Sequence, residues 1–202
     1  LSNFSIDYET QSTFYIRLRC SDQLGAFYDE NFTISAVDVN EAPDNLTISS
    51  NSIDENMASG TSIGTFSTTD QDAGDTHSYS LVSGSGSTNN NLFTINSGQL
   101  KSSAGFNYEA LNTLNIRVRS TDIGGLSFER TISINVNNLN ENPTNLLLSA
   151  SSINENSAIG NSIGSLSSTD EDAGDSHTYS LISGIGSDDN SQFTINGSQL
   201  RN

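Results

Sequence analysis

Apolar residues alternate with polar residues along several short stretches of the chain. Between residues 114 and 119, Leu114, Ile116 and Val118 alternate with polar residues, and the stretch 131–136 alternates in the same way. Such alternation predicts β-strands that bury one face. Other short strands are predicted at residues 46–48, 62–66, 77–82 and 93–95, each bounded by polar turns. We find no amphipathic helical pattern between them, so the chain is expected to be all-β.

The sequence repeats itself at a fixed offset of 100 residues, with no gap. The segment SIDEN at 52–56 returns as SINEN at 152–156, and DQDAGD at 70–75 returns as DEDAGD at 170–175. This period is far longer than that of a solenoid repeat, so each copy is expected to be a whole domain. About seven short strands per copy predict tandem Greek-key, immunoglobulin-like β-sandwiches.

Two prolines, Pro43 and Pro143, mark the predicted joints between copies. Residues 44–143 are expected to form one complete repeat. Residues 1–43 are expected to be the C-terminal part of the repeat before it, and residues 144–202 the N-terminal part of the repeat after it. On this interpretation the chain starts and stops inside a repeat.

The charge balance is strongly acidic, with 24 acidic and 7 basic residues and a formal net charge of -17. A nucleic-acid partner is disfavoured because phosphate binding needs an excess of Lys and Arg. Membrane insertion is not expected, since no long apolar stretch is present. Cys20 is the single cysteine, which rules out a disulfide framework, and its alternation with Ile16 and Leu18 predicts a core-facing position.

Acidic residues recur near the predicted turns, and this pattern points to a hard cation. Ca²⁺ takes about six to eight oxygen ligands, whereas zinc and copper favour Cys and His clusters that this sequence lacks. In a sandwich, loops gather at the two ends of the domain, so carboxylates from neighbouring copies are expected to meet at each joint. His77 and His177 are expected to have structural roles, and Asp75 and Asp175 are interpreted as turn residues.

Taken together, these motifs resemble a cadherin repeat. In family order they are the Glu motif at 54–56, the DxD at 70–72, the DxE-like NYE at 107–109, the AxDxG-like TDIG at 121–124 and the linker NLNENP at 138–143. The longer string from 70 to 81 resembles in particular the cadherin-like repeats of large bacterial surface adhesins. The resemblance implies a cadherin-type sandwich with Ca²⁺ bound between neighbouring repeats.

The resemblance also implies a set of calcium ligands at each joint. Those of the first joint are Asp7, Glu9, Asp38, Val39, Asn40, Glu41 and Ala42 from the preceding copy, with Asp70, Asp72 and Asp122 from the following one. Those of the second are Glu55, Glu109, Leu139, Asn140, Glu141 and Asn142, with Asp170 and Asp172. Val39, Ala42, Leu139 and Asn142 would contribute backbone carbonyls. Asn107 and Asn138 replace Asp7 and Asp38, so the second joint is expected to bind Ca²⁺ more weakly.

The expected function is that of a calcium-stiffened extender or adhesion module of an extracellular, cell-surface protein. A calcium-dependent polysaccharide-binding module is the alternative, although the aromatic residues Tyr15, Phe27 and Tyr28 lie in one copy only. An enzyme is disfavoured. Paired carboxylates occur in glycosidases, but here they recur in every copy, which suits ligation better than acid–base catalysis.

The two part-repeats are complementary pieces of one domain. Each would leave strand edges and an apolar face uncovered, and such a small piece is a poor independent fold. We therefore expect self-association, in which the C-terminal part of one molecule completes the N-terminal part of another as a swapped dimer or a head-to-tail row. Glu155 would then join the first joint of its partner, and Asp22 the second.

Overall fold

A computed structural model describes residues 5–202, which form short strands joined by turns. Contacts group the chain into two units: residues up to 107 together with 111–137, and residues 108–110 together with 138–202. The repeat boundaries stay a prediction, and the first four residues of the predicted segment 1–43 lie outside the described residues. No helix within the described range is long and apolar enough to cross a membrane.

The first unit contains ten strands and one short 3-10 helix. The strands are β1 (Thr13–Ser21), β2 (Phe27–Ser35), β3 (Asn45–Ile48), β4 (Ser52–Asp54), β5 (Ser62–Thr69), β6 (Ser78–Leu81), β7 (Phe93–Asn96), β8 (Gln99–Ser102), β9 (Thr113–Thr121) and β10 (Ser127–Asn137), and the helix is Asn90–Leu92. Every strand predicted from alternation is present. The short strands β4 and β8 were not predicted.

Two four-stranded sheets form a β-sandwich within this unit. Their strand orders are β3-β5-β8-β7 and β4-β10-β9-β6. All pairs are antiparallel except β4 with β10, which is parallel. The inward-facing apolar residues of both sheets make the core, and the all-β prediction is confirmed. The most deeply buried of them are Leu46, Leu100, Leu114, Ile116, Val118 and Ile134.

Strands β1 and β2 form a separate antiparallel hairpin that repeats β9 and β10 one period earlier. We call this hairpin, residues 13–35, the open ribbon, because no strand among the described residues covers its apolar face. Ile16, Leu18 and Ile34 are 40%, 54% and 43% exposed. Their counterparts Ile116, Val118 and Ile134 are all 0% exposed. The same sequence pattern therefore gives a buried face in one copy and an uncovered face in the other.

Cys20 departs from its prediction for this reason. It was expected to face a core, but it is exposed, whereas its counterpart Ser120 on β9 is fully buried. Alternation placed Cys20 on the apolar side of the strand, and among the described residues no second sheet covers that side.

The second unit is a single four-stranded sheet with the order β11-β12-β14-β13. Its strands are β11 (Asn145–Leu148), β12 (Ser162–Thr169), β13 (Thr194–Asn196) and β14 (Gln199–Arg201), and it has a 3-10 helix at Asn190–Gln192. A groove of ≈ 570 Å³ runs along it, lined in part by Leu146, Leu166, Ile195 and Leu200. Leu146 is 65% exposed, whereas Leu46 is 0% exposed, so this sheet too has an uncovered apolar face.

Candidate metal-binding sites

Three carboxylates from distant parts of the chain converge within the first unit. Glu9, Asp38 and Asp72 each place a carboxylate oxygen within 4.8 Å of the others. Thr13 at the start of β1 pairs with Ser35 at the end of β2, so the segment before β1 and the segment after β2 lie together. Asp72 reaches them from the loop that follows β5. The hairpin register thus explains how Glu9 and Asp38 become neighbours.

The linker at residues 38–41 is held against two acidic segments. The Glu41 backbone N–H donates to Asp72 Oδ2 at 2.9 Å. Asn40 Nδ2 donates to Asp122 Oδ2 at 3.1 Å and to the Glu41 carbonyl at 3.0 Å. These bonds bring the linker, the loop at 70–72 and the turn at 122 together, as the resemblance implied.

Glu41 carries an oxygen that is costly to leave without a partner. Its Oε2 is buried and accepts no hydrogen bond from the described residues. Desolvation, followed by the negative charges of Glu9 and Asp72, raises the pKa of Glu41 above its ordinary value. A buried, unpaired carboxylate is unfavourable, and a bound cation would remove that cost.

A second group of carboxylates lies deeper in the same unit. Asp70, Asp75 and Asp122 each place one oxygen within 4.8 Å of the others. Asp122 is only 6% exposed, and its Oδ1 accepts from Leu126 N at 2.8 Å. Desolvation acts to raise the pKa of Asp70, but hydrogen bonds from His77 and from the Asp72 backbone outweigh it, so this pKa lies below its ordinary value. Asp70 is therefore ionised at neutral pH.

The second unit repeats the contact between linker and acidic loop. Glu141 N donates to Asp172 Oδ2 at 2.9 Å, and Asn140 Nδ2 donates to the Glu141 carbonyl at 2.8 Å. Glu109 and Glu141 have carboxylate oxygens within 4.8 Å of each other. His177 Nε2 lies 3.1 Å from Asp170 Oδ2, and this hydrogen bond lowers the pKa of Asp170. Equivalent sequence has produced equivalent local geometry.

The structure also places the remaining acidic residues of the predicted set. Asp7 accepts hydrogen bonds from the Thr10 backbone and hydroxyl, and Asp22 Oδ1 accepts from Leu24 N and Ala26 N. Glu155 is exposed, and Glu55 is fully buried. In the part of the chain that the structure describes, neither Asp22 nor Glu155 belongs to an acidic trio. Four further predicted residues lie exposed on the two linkers: Val39, Ala42, Leu139 and Asn142.

Two features escaped the sequence analysis. His77 Nε2 lies 2.8 Å from Asp70 Oδ2, so the histidine orients an acidic residue of the site. Asp75 belongs to an acidic trio, although it was interpreted as a turn residue. Its recurrence as Asp175 was the available signal, but a Gly-Asp pair is so common in turns that the local sequence favoured the other interpretation.

The chemistry of these groups fits Ca²⁺. Their donors are carboxylate and amide oxygens, which hard cations prefer. Glu41 Oε2 and Asp75 Oδ2 are buried and have no hydrogen-bond partner within the described residues. Zinc fits less well, because each histidine is engaged by an aspartate and Cys20 belongs to none of the groups.

Comparison with known proteins gives a consistent result, although no family model matches the chain. It is 32% identical over 180 residues to human Protocadherin-16, covering 84% of this chain and 6% of that protein. It is 28% identical over 202 residues to mouse Protocadherin Fat 2, covering 95% of this chain and 5% of that protein. The solved extracellular domain of Protocadherin GammaB4 superimposes with a TM-score of 0.62 at 24% identity, covering 98% of this chain and 33% of that one.

These similarities extend over most of the chain and agree with the β-sandwich. The chain spans only a small fraction of the length of the protocadherins it matches. The particular resemblance to bacterial surface adhesins stays a prediction. The chain belongs to the cadherin repeat family.

Proposed function

We propose that this chain is a calcium-binding extender and adhesion module of an extracellular protein. Ca²⁺ would bind where a linker meets the acidic loops of the next repeat. The observation that carries this proposal is the convergence of Glu9, Asp38 and Asp72 from three separate segments, with carboxylate oxygens within 4.8 Å. Like charges gathered this closely repel one another, and a divalent cation removes the repulsion.

The proposed effect of the ion is to stiffen the array. Without Ca²⁺, repulsion between the linker and the loop acids opposes the hydrogen bonds from Asn40 and Glu41. With Ca²⁺, both segments bind the same cation, so the linker loses its freedom to bend. A run of such repeats would behave as a rod, which suits a protein that extends outward from the cell surface. No enzymatic reaction is part of this proposal.

The proposed ligands of the first joint are Asp7, Glu9, Asp38, Asn40, Glu41, Asp70, Asp72 and Asp122, with backbone carbonyls of Val39 and Ala42. Those of the second joint are Glu55, Glu109, Asn140, Glu141, Asp170 and Asp172, with backbone carbonyls of Leu139 and Asn142. For Glu55 this assignment comes from the resemblance. Asp22 and Glu155 enter the proposal only through self-association.

The second joint is proposed to bind Ca²⁺ more weakly than the first. Asn107 and Asn138 stand where the first joint has Asp7 and Asp38, and calcium affinity increases with the number of charged ligands. In calorimetry, the double variant Asn107→Asp/Asn138→Asp should raise the Ca²⁺ affinity of the weaker sites. The Asp188→Asn variant is the charge control. If the Ca²⁺ affinity of the weaker sites is unchanged, the proposed order of the two joints is refuted.

A second copy of this chain is the proposed macromolecular partner. The open ribbon has an uncovered apolar face, and the sheet of the second unit has an uncovered groove lined by Leu146 and Leu166. The complete sandwich shows how such pieces fit together, because β9 and β10 cover the sheet that contains β3 and β5. The ribbon of one molecule would cover the groove of another, as a swapped dimer or a head-to-tail row.

Calcium-dependent binding of polysaccharide remains the second candidate function. Tyr15, Phe27 and Tyr28 are 80%, 59% and 67% exposed on the open ribbon, and exposed aromatic residues are common sugar-binding platforms. A glycan array probed with and without EGTA separates the two functions. Binding that needs Ca²⁺ and is lost in Tyr15→Ala would favour the second.

The test of the leading proposal is thermal unfolding combined with small-angle scattering. An ion that binds only the folded state raises the melting temperature by mass action. We therefore expect a higher melting temperature and a longer, narrower particle in millimolar Ca²⁺ than in EGTA. Identical melting and identical scattering in the two solutions would overturn the proposal.

A further inference from the structure

Asp75 is an acidic residue to which the cadherin motifs assign no role. It lies three residues after Asp72 and recurs one period later as Asp175. Its Gly-Asp sequence favours the interpretation of a turn residue. Its surroundings in the structure differ from those of an ordinary turn aspartate.

The loop after β5 turns back sharply and brings Asp75 next to the acids that precede it. Asp75 N donates to the Asp72 carbonyl at 3.2 Å, and Gly74 between them has a φ of +104°. This left-handed conformation strains residues with a Cβ, so glycine favours it. The Asp75 carboxylate consequently lies within 4.8 Å of Asp70 and Asp122 oxygens.

Hydrogen bonding distinguishes Asp75 from the other two acids of this trio. Both oxygens of Asp70 accept hydrogen bonds, from Asp72 N at 3.2 Å and from His77 Nε2 at 2.8 Å. Both oxygens of Asp122 also accept, from Leu126 N and from Asn40 Nδ2. Asp75 Oδ2 is buried and accepts from no group in the described structure.

If Asp75 only shaped the turn, its carboxylate would accept a hydrogen bond from a backbone N–H of its own loop. A position facing two other carboxylates would not stabilise such a residue. Burial, followed by the charges of Asp72, Asp70 and Asp122, raises the pKa of Asp75 above its ordinary value. Each of these features is unfavourable in the absence of a cation. Each becomes favourable when the oxygen binds one.

We propose that Asp75 is a direct ligand of the calcium ion bound by Asp70 and Asp122, an inference that rests on the calcium-binding function proposed above. The ion would then have three carboxylate ligands within one unit. Because affinity increases with the charge of the ligands, this would be a tight site of the first joint. The loop sequence DxDAGD would supply three acidic ligands to the joint instead of two.

The first experiment compares Ca²⁺ binding by calorimetry in the whole chain and in Asp75→Asn. The charge control is Asp188→Asn, because Asp188 is exposed and belongs to no acidic group among the described residues. We expect Asp75→Asn to lose one site, or to bind at that site about tenfold or more weakly, and Asp188→Asn to match the unmodified chain. If the unmodified chain binds Ca²⁺ and the two variants behave alike, this inference alone is wrong. If the unmodified chain binds none, the proposed function fails as well.

The second experiment separates a ligand from a turn residue by melting the variants in EGTA and in Ca²⁺. Without metal, Asp75→Asn should raise the melting temperature, because it removes a repelled carboxylate. In Ca²⁺, Asp75→Asn should lower the melting temperature, because the bound ion loses a ligand. The matched turn control, compared in EGTA, is Asp175→Asn, because Asp175 N makes the same bond to Asp172 at 3.3 Å but its side chain is exposed. A lower melting temperature for Asp75→Asn in both solutions would indicate a turn role and overturn the inference.

Discussion

Truncating Ile116 or Ile16, which occupy equivalent positions one period apart, should lower the free energy of unfolding by very different amounts. Ile116 on β9 is 0% exposed, whereas Ile16 on β1 is 40% exposed. Truncating a fully buried Ile to Ala costs about 2–5 kcal/mol, because burial is lost and a cavity remains. Ile16 has little packing to lose in an isolated molecule, so Ile16→Ala should cost about 1 kcal/mol or less.

The assay is urea unfolding followed by circular dichroism, with sedimentation measurements to establish the association state at each concentration. At high dilution the two variants should differ by at least about 1 kcal/mol in the free energy of unfolding. At high concentration the cost of Ile16→Ala should increase, because the second copy proposed above would bury its side chain. Equal costs at high dilution would contradict the exposed position of Ile16. If the loss of unfolding free energy in Ile16→Ala does not depend on concentration, association of two copies through the open ribbon is refuted.

Two further predictions concern pH and one glycine. Desolvation, followed by neighbouring charges, raises the pKa of Glu41 and of Asp75 above their ordinary values of 4.5 and 3.8. Their contribution to stability is therefore complete below those values and is lost as the pH rises through the folded-state pKa. In EGTA, the melting temperature should rise as the pH falls from 7 toward 4.5. In Ca²⁺, the melting temperature should fall over the same range, because protons compete with the metal. The same trend in both solutions would contradict this. Gly86 and Gly186 have φ values of +82° and +85°, but a Cβ on Gly86 would overlap the Thr131 side chain, whereas Gly186 has open space. In thermal melts Gly86→Ala should therefore destabilise the chain by more than Gly186→Ala, by about 1 kcal/mol or more, and equal effects would contradict that contact.

Much of the architecture follows from local sequence patterns. Alternation on β9 and β10 predicted strands with a buried face, and the fixed period predicted repeated sandwiches. β4 and β8 each contain a single apolar residue, Ile53 and Leu100, so neither shows an alternation that could be detected. The exposure of Cys20 was beyond local prediction for another reason, because burial depends on whether a second sheet is present.

The candidate sites could be predicted as residue types more readily than as contacts. The cadherin motifs alone indicated Asp70, Asp72 and Asp122. The bond from Glu41 N to Asp72 depends on how the linker lies against the loop, and the bond from His77 to Asp70 depends on the path of that loop. The grouping of Asp75 with Asp122 depends on how the two sheets pack, since Asp122 follows β9 of one sheet and Asp75 follows β5 of the other.

Direct titration of Ca²⁺ into the metal-free chain is the measurement that tests the central claim, with the double variant Asp38→Asn/Asp72→Asn alongside. These residues contribute two of the three carboxylates of the trio that includes Glu9. We predict that the unmodified chain binds Ca²⁺ at more than one site, and that the double variant loses at least one site of the first joint but keeps those of the second. Absence of binding by the unmodified chain, or equal numbers and affinities of sites in both proteins, would contradict the account.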